Sequence, residues 1–194
     1  MSYKIVNIID MLEMLGEDDT KVILSTFSCV KNRDIERFLH HNAIEFAKKK
    51  LSVTYLVLSE SGDIAGYFAL THKPAVLGNA EFALLSGESK KKIRRFCKPD
   101  DVTGNYTVSA FLIAQLGKNS SAAGDELRGD LLMGFAIDTL KDVQRCVGGG
   151  IVFLECENIA KLLAFYENEN NRFKRYGTRI AADGKTYLQL LRLF

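Results

Sequence analysis

The chain has 194 residues, 47% hydrophobic and 26% charged, with a net charge of only +2. That balance suits a globular domain able to bury roughly 70% of the surface its unfolded form exposes, so neither a disulfide nor a metal is needed for stability. Cys29, Cys97, Cys146 and Cys156 form no CxxC pair and have no histidine at ligand spacing, which argues against a zinc site or a disulfide framework and for reduced thiols in the cytoplasm.

The N-terminal MSYKIVNIIDMLEML carries acidic residues inside its apolar run and lacks a small-residue cleavage site, so it does not read as a signal peptide. Residues 6–25 read as one or two short helices broken near Gly16, with Asp18 or Asp19 as a cap for the second. Thr26 to Cys29 suit a short strand. From Asn32, NRDIERFLHHNAIEFAKKKL sets Ile35, Phe38, Leu39, Ala43, Ile44, Phe46 and Ala47 at helical spacing. SVTYLVLSE, a turn at Ser61–Gly62 and DIAGYFALTHKPAVLG predict an antiparallel hairpin, rich in β-branched and aromatic residues. Residues 79–100 hold a basic helical segment, SGESKKKIRRFC, stopped by Pro99. The strand SAFLIAQLG, the polar loop KNSSAAGDE and an amphipathic helix ending at Gly148–Gly150 follow. Then come the strand IVFLEC, a helix to about Tyr166, and two closing strands, FKRYGTRI and KTYLQLLRLF. No apolar run approaches the ~20 residues of a membrane span. No repeat or linker offers a domain boundary, so one domain over 1–194 is expected, with 1–25 an N-terminal helical extension.

The order strand, small-residue loop, helix, strand, helix, Phe-Tyr across residues 111–167 resembles the acyl-CoA-binding half of a GNAT N-acetyltransferase. The resemblance implies a GNAT-like α/β fold: a mixed, mostly antiparallel sheet splayed between its fourth and fifth strands, with helices on both faces. It implies acetyl-CoA as co-substrate and no metal. Main-chain groups of Leu116, Gly117 and Lys118 would align the pantetheine arm. Ala123, Gly124, Leu127, Arg128 and Gly129 would meet the pyrophosphate, because unpaired N–H groups and the positive end of a helix dipole make an anion site. Here the chain departs from the family's Q/R-x-x-G-x-G/A, since Glu126 and Arg128 stand where glycines are usual. A carboxylate at the loop tip repels pyrophosphate, whereas Arg128 attracts it.

KLLAFYENENNRF resembles the family's A-x-x-x-Y-x-x-x-G-F and puts Tyr166 at the tyrosine that protonates the departing thiolate of CoA. The glycine is absent, and Asn168, Glu169, Asn170 and Asn171 surround its place before Phe173. For the base, Glu155 and Glu157 at the end of the fifth strand are the nearest carboxylates, with a water chain as the alternative. The bland counterpart is a core Phe beside a rim Tyr. His40 and His41 fall on different helix faces and His72 is alone, which argues against a metal or a Ser-His pair.

The front half, NRDIERFL, YLVL and IAGYFALTHKPAVL followed by the basic KKKIRRF, is similar to the GNAT toxins of bacterial toxin–antitoxin pairs, which acetylate aminoacyl-tRNA. The acceptor class implied is a primary amine, on aminoacyl-tRNA or a small molecule, and an oligomer and an antitoxin partner fit that branch. Lys90, Lys91, Lys92, Arg94 and Arg95 are the candidate RNA contact, against a reading as a solvated helix face. Two other function classes stand beside the enzyme: an inactive GNAT-like module that binds CoA, favoured by Glu126 and the missing glycines, and an RNA-binding module resting on the basic segments alone.

Overall fold

The structure, a computed structural model, describes every residue except Met1, Ala122, Gly124, Asp125 and Asp183. Its seven strands form one sheet in the order β1-β2-β3-β4-β5-β7-β6, and the chain divides into two compact units. Among the described residues no helix is long and apolar enough to cross a membrane.

The first unit comprises Met1–Thr71 and Ile113–Thr139. Strand β1 (Lys4–Asn7) lies antiparallel to β2 (Val53–Leu58), which pairs with β3 (Ile64–Leu77) through the expected turn, where Gly62 has φ 88°. The N-terminal segment expected to be purely helical thus supplies an edge strand. The side chain of Asn7 then caps helix α1 (Ile8–Leu15), accepting from the Ile9 N–H at 2.9 Å. Helix α2 (Glu17–Ser25) starts at Gly16, with φ 80° and no side-chain cap; Asp18 and Asp19 sit inside its first turn, where they favour the helix dipole instead of capping it. Thr26 to Cys29 are not a strand: the Thr26 and Phe27 amides donate to the Ile23 and Leu24 carbonyls at the end of α2, and side chains take the Ser28 and Cys29 amides, as described below. The helix predicted from Asn32 is present and capped by that residue. It runs as α3 (Arg33–Arg37), a π-helical turn (Phe38–Asn42) and α4 (Ala43–Lys48). Tyr67 Oη donates to the Ile35 carbonyl at 2.6 Å, and five residues separate donor from acceptor where Ala43 N–H meets Phe38 C=O. A side chain entering the ladder is a common cause of such widening. Ile8, Leu24, Phe27, Leu39, Leu56 and Tyr67 fill this unit's core.

The second unit comprises His72–Leu112 and Leu140–Phe194. The basic segment resolves into two helices, α5 (Asn79–Leu84) and α6 (Gly87–Phe96), the latter capped by Ser86. Helix α6 ends two residues before Lys98, whose helical conformation Pro99 disfavours. Strand β4 (Tyr106–Lys118) starts three residues earlier than its apolar pattern predicts and meets β5 (Ile151–Glu157) in parallel, Phe111 opposite Val152 and Leu112 opposite Phe153. That ladder is confined to two residue pairs. Helix α7 (Gly129–Val147) joins the two strands. After α8 (Ala160–Glu167), β6 (Lys174–Ile180) and β7 (Thr186–Leu193) close the sheet antiparallel, β7 lying next to β5. The core here gathers Leu77, Phe82, Ile93, Tyr106, Val108 and Ile151, with the Phe82 and Tyr106 rings stacked at 3.9 Å.

Candidate functional site

In the first unit the loop that leaves β4 is fixed by a buried amide. Asn119, 5% exposed, accepts at Oδ1 from Ser28 N–H (3.1 Å) and Ser121 N–H (3.2 Å), while its Nδ2 donates to the Ile64 carbonyl (2.7 Å). Its own N–H donates to the Ala65 carbonyl at 2.9 Å. Ser120 adds two links to residues 28–30: its N–H donates to Ser28 C=O, and its Oγ accepts from Val30 N–H at 3.0 Å. Glu36 holds the same segment from the other side, accepting from Cys29 N–H at 2.7 Å, Ser28 Oγ at 3.0 Å and Arg33 at 2.9 Å. The Cys29 amide first, with Ser28 and Arg33, holds the Glu36 carboxyl below its ordinary range against the cost of burial. This clamp is what the segment has instead of a strand ladder.

Of the predicted cofactor residues, Gly117 is buried and Leu116 and Lys118 are half-buried along β4. A Cβ on Gly117 would run into Ile35 and meet the Tyr67 ring at 3.5 Å, so the strand's backbone lies directly on the core. The Leu127 side chain is fully buried, leaving only its main chain to meet a ligand. Arg128 is 80% exposed, 3.9 Å from Asp130 in the first turn of α7. Its carbonyl accepts from Leu132 N–H at 3.1 Å, so the helix ladder begins there and Gly129 opens the helix with its N–H unpaired by it. Ala123 is half-buried and Glu126 exposed; Gly124 lies outside the described residues.

In the second unit Tyr166 sits on the last turn of α8, its ring 5.0 Å from Phe165 and 6.1 Å from the fully buried Phe173, both edge-on. Burial, and after it the Cys156 thiol, push the phenol well above its ordinary value, so it holds its proton at neutral pH. Its hydroxyl has no hydrogen-bond partner among the described residues. The turn beyond is stapled by asparagines. Asn168 Oδ1 accepts from the N–H groups of Asn170 and Asn171, Asn171 Nδ2 donates to Phe165 C=O, and Phe173 N–H returns to Tyr166 C=O at 3.0 Å. The glycine missing before Phe173 is replaced by Arg172, whose φ of 57° keeps the left-handed conformation a glycine favours.

Glu155 is a tied carboxylate. Arg179 bonds it through Nε at 2.7 and 2.8 Å, and Gln189 donates at 2.9 Å from the facing position on β7. Burial works to raise its pKa, but Arg179 and Gln189, with the charge of Lys73, outweigh it and hold it below the ordinary range. A carboxylate so engaged is a weak proton acceptor, which counts against the base role expected of it. In the basic helix, Lys91, Arg94 and Arg95 are exposed; Lys90 donates to Ala83 C=O, Lys92 pairs with Glu88, and Arg94 lies over the Phe82 ring. Sequence reading passed over Asn119 and Arg172, whose roles depend on partners and dihedrals that no spacing displays. Among the described residues no group of three or more His, Cys, Asp or Glu is placed to hold a metal.

A seven-stranded, mostly antiparallel sheet with a short parallel ladder between its fourth and fifth strands, flanked by helices, is the GNAT acyltransferase fold. No protein-family model and no curated protein sequence matches the chain. Solved structures do. AtaT complexed with acetyl-methionyl-tRNAfMet is similar over 96% of this chain and 94% of its own, with TM-score 0.64 and 17% identity. A tyrosine-to-phenylalanine mutant of KacT matches over 100% and 95%, with TM-score 0.65 and 15% identity. AtaTR bound with AcCoA matches over 98% and 92%, with TM-score 0.59 and 15% identity. At such identity the likeness is one of fold.

Proposed function

We propose that this protein is a cytoplasmic bacterial N-acetyltransferase that moves acetyl from acetyl-CoA directly to a primary amine. The observation that carries the reading is the Tyr166 phenol, protonated, walled by Phe165 and Phe173, and without another hydrogen-bond partner. The amine attacks the thioester carbonyl, the tetrahedral adduct breaks its C–S bond, and the leaving thiolate takes its proton from Tyr166. With Glu155 held by Arg179, the proton lost from nitrogen passes to water. Main-chain groups of Leu116, Gly117 and Lys118 align the pantetheine. Amides of Ala123, Leu127, Arg128 and Gly129 receive the pyrophosphate at the start of α7. Positioning supplies most of the acceleration.

The acceptor we favour is the α-amine of an aminoacyl-tRNA, supported by the fold shared with AtaT, which has been solved with acetyl-methionyl-tRNAfMet. The same likeness supports an antitoxin partner, since AtaT is also known bound to the C-terminus of the antitoxin AtaR. A second reading, a CoA-binding module without turnover, is favoured by one observation: Glu126 and Asp130 flank the anion loop with negative charge.

Release of CoA thiol from acetyl-CoA and an aminoacylated tRNA tests both. Tyr166→Phe is expected to lower kcat by ~100-fold with little change in acetyl-CoA affinity. Full turnover by that variant removes Tyr166 from the mechanism. Tight acetyl-CoA binding with no thiol release selects the second reading.

A further inference from the structure

Arg172 holds a left-handed conformation, φ 57°, which is costly for a non-glycine residue and persists where the surrounding structure fixes it. Its Nε donates to the Glu169 carbonyl at 2.8 Å, which fixes the guanidinium stem. Arg172 lines a cavity of about 710 Å³ that belongs wholly to the second unit. Four more cations line it from different elements: Lys92 on α6, Lys174 and Arg175 on β6, and Arg192 on β7. Among the described residues, two carboxylates line the same cavity. Glu88 pairs with Lys92 at 3.1 Å, and Glu167 takes Arg175 through two bonds of 2.7 and 2.8 Å. Arg172 and Lys174, both exposed, form no salt bridge among the described residues, although the Lys174 charge also bears on Glu167. Leu84, Leu191 and Leu193 add apolar surface to the same cavity.

We propose that this cavity is a binding track for RNA backbone, with phosphates on Arg172 and Lys174 and a ribose or base against the leucines. The assignment deepens the reading of aminoacyl-tRNA as acetyl acceptor and rests on it. Cations spread over a helix, a turn and two strands match a chain of repeated anions better than one small anion, and a concave surface does not fit a flat membrane. It also moves the RNA contact away from the lysine run of α6, of which only Lys92 reaches the cavity.

The test uses the full chain, a 5′-labelled tRNA and acetyl-CoA. Arg172→Gly removes the cation while suiting the left-handed backbone, so it is expected to fold and melt no lower than wild type. Its tRNA affinity should fall about tenfold, with a salt slope reduced by about one, and Lys174→Gln should do the same. Acetyl-CoA affinity should not move. Unchanged tRNA affinity and slope in both variants overturn the proposal. So does an equal loss of acetyl-CoA affinity, which makes the cavity a cofactor subsite, or competition by polyglutamate as strong as by unlabelled tRNA, which makes it an acidic-peptide site. Cavity-dependent tRNA binding by a protein that fails to bind acetyl-CoA upholds the track and sinks the enzyme reading; the reverse sinks the track alone.

Discussion

Asn119 uses both ends of its amide on main chain that lies 55 and 91 positions away. Replacing it with alanine leaves the Ser28 and Ser121 amides and the Ile64 carbonyl without their partner, at about 1–3 kcal/mol for an orphaned buried group. Asn119→Ala is therefore expected to lower the unfolding free energy by that amount, read as a lower urea midpoint, and to weaken acetyl-CoA binding, because the loop it fixes leads into the proposed anion site. An unchanged midpoint removes the clamp from the account. Glu155 gives a pH test. A carboxyl depressed by Arg179 and Gln189 adds stability above the ordinary carboxylate value of 4.5, and that stability is lost as pH falls through the lower folded value. Glu155→Gln should flatten this part of the stability profile below pH 4.5, leaving wild type the steeper of the two in thermal melts. Neither residue's role is written in its neighbours. Tyr166 stands out as a candidate because a short motif surrounds it; Asn119 and Arg172 do not, since one acts across long sequence separation and the other through a backbone dihedral.

Elements with strong periodicity were legible almost to the residue: the β2–β3 hairpin, α7, β5 and α8 all fall where alternation or a 3.6-residue period puts them. Short elements were not. Four residues of β1 carry too little alternation to stand out from the helix they precede, and residues 26–29 look strand-like although α2 carbonyls and polar side chains, not a neighbouring strand, take their amides. Close approach between elements was equally hidden. A Cβ on Gly66 of β3 would stand 2.9 Å from the Gly117 carbonyl and 2.9 Å from the Leu127 side chain. One of those neighbours is backbone and cannot swing away, so Gly66→Ala overpacks the layer between β3, β4 and the start of α7. The expected cost is about 1–3 kcal/mol, or roughly 3–10 °C in Tm. Calorimetry that finds no loss means the strands separate more readily than this spacing implies.

At the scale of the whole chain, element order proved more durable than residue identity: 14–17% identity to the neighbouring structures accompanies coverage of nearly every residue. Bulk charge was the poorest guide. A net +2 is silent about a cavity where five cations meet two carboxylates, because the compensating acids lie elsewhere in the sequence.

The chain passes from one compact unit to the other inside β3, inside β4 and inside α7, never at a linker. On the ribosome this ordering delays the closing of both units. The first 71 residues emerge early, yet the strand and helix start that complete their unit arrive only after residues 72–112 have left the tunnel, and the other unit waits for the C-terminal β6–β7 pair. A polypeptide that stops short of Thr139 therefore has neither unit closed, and one that stops short of β7 still leaves the second unit open, its apolar strands left to chaperones and proteases. The second unit, which carries Tyr166, is closed only once β6 and β7 have followed it out.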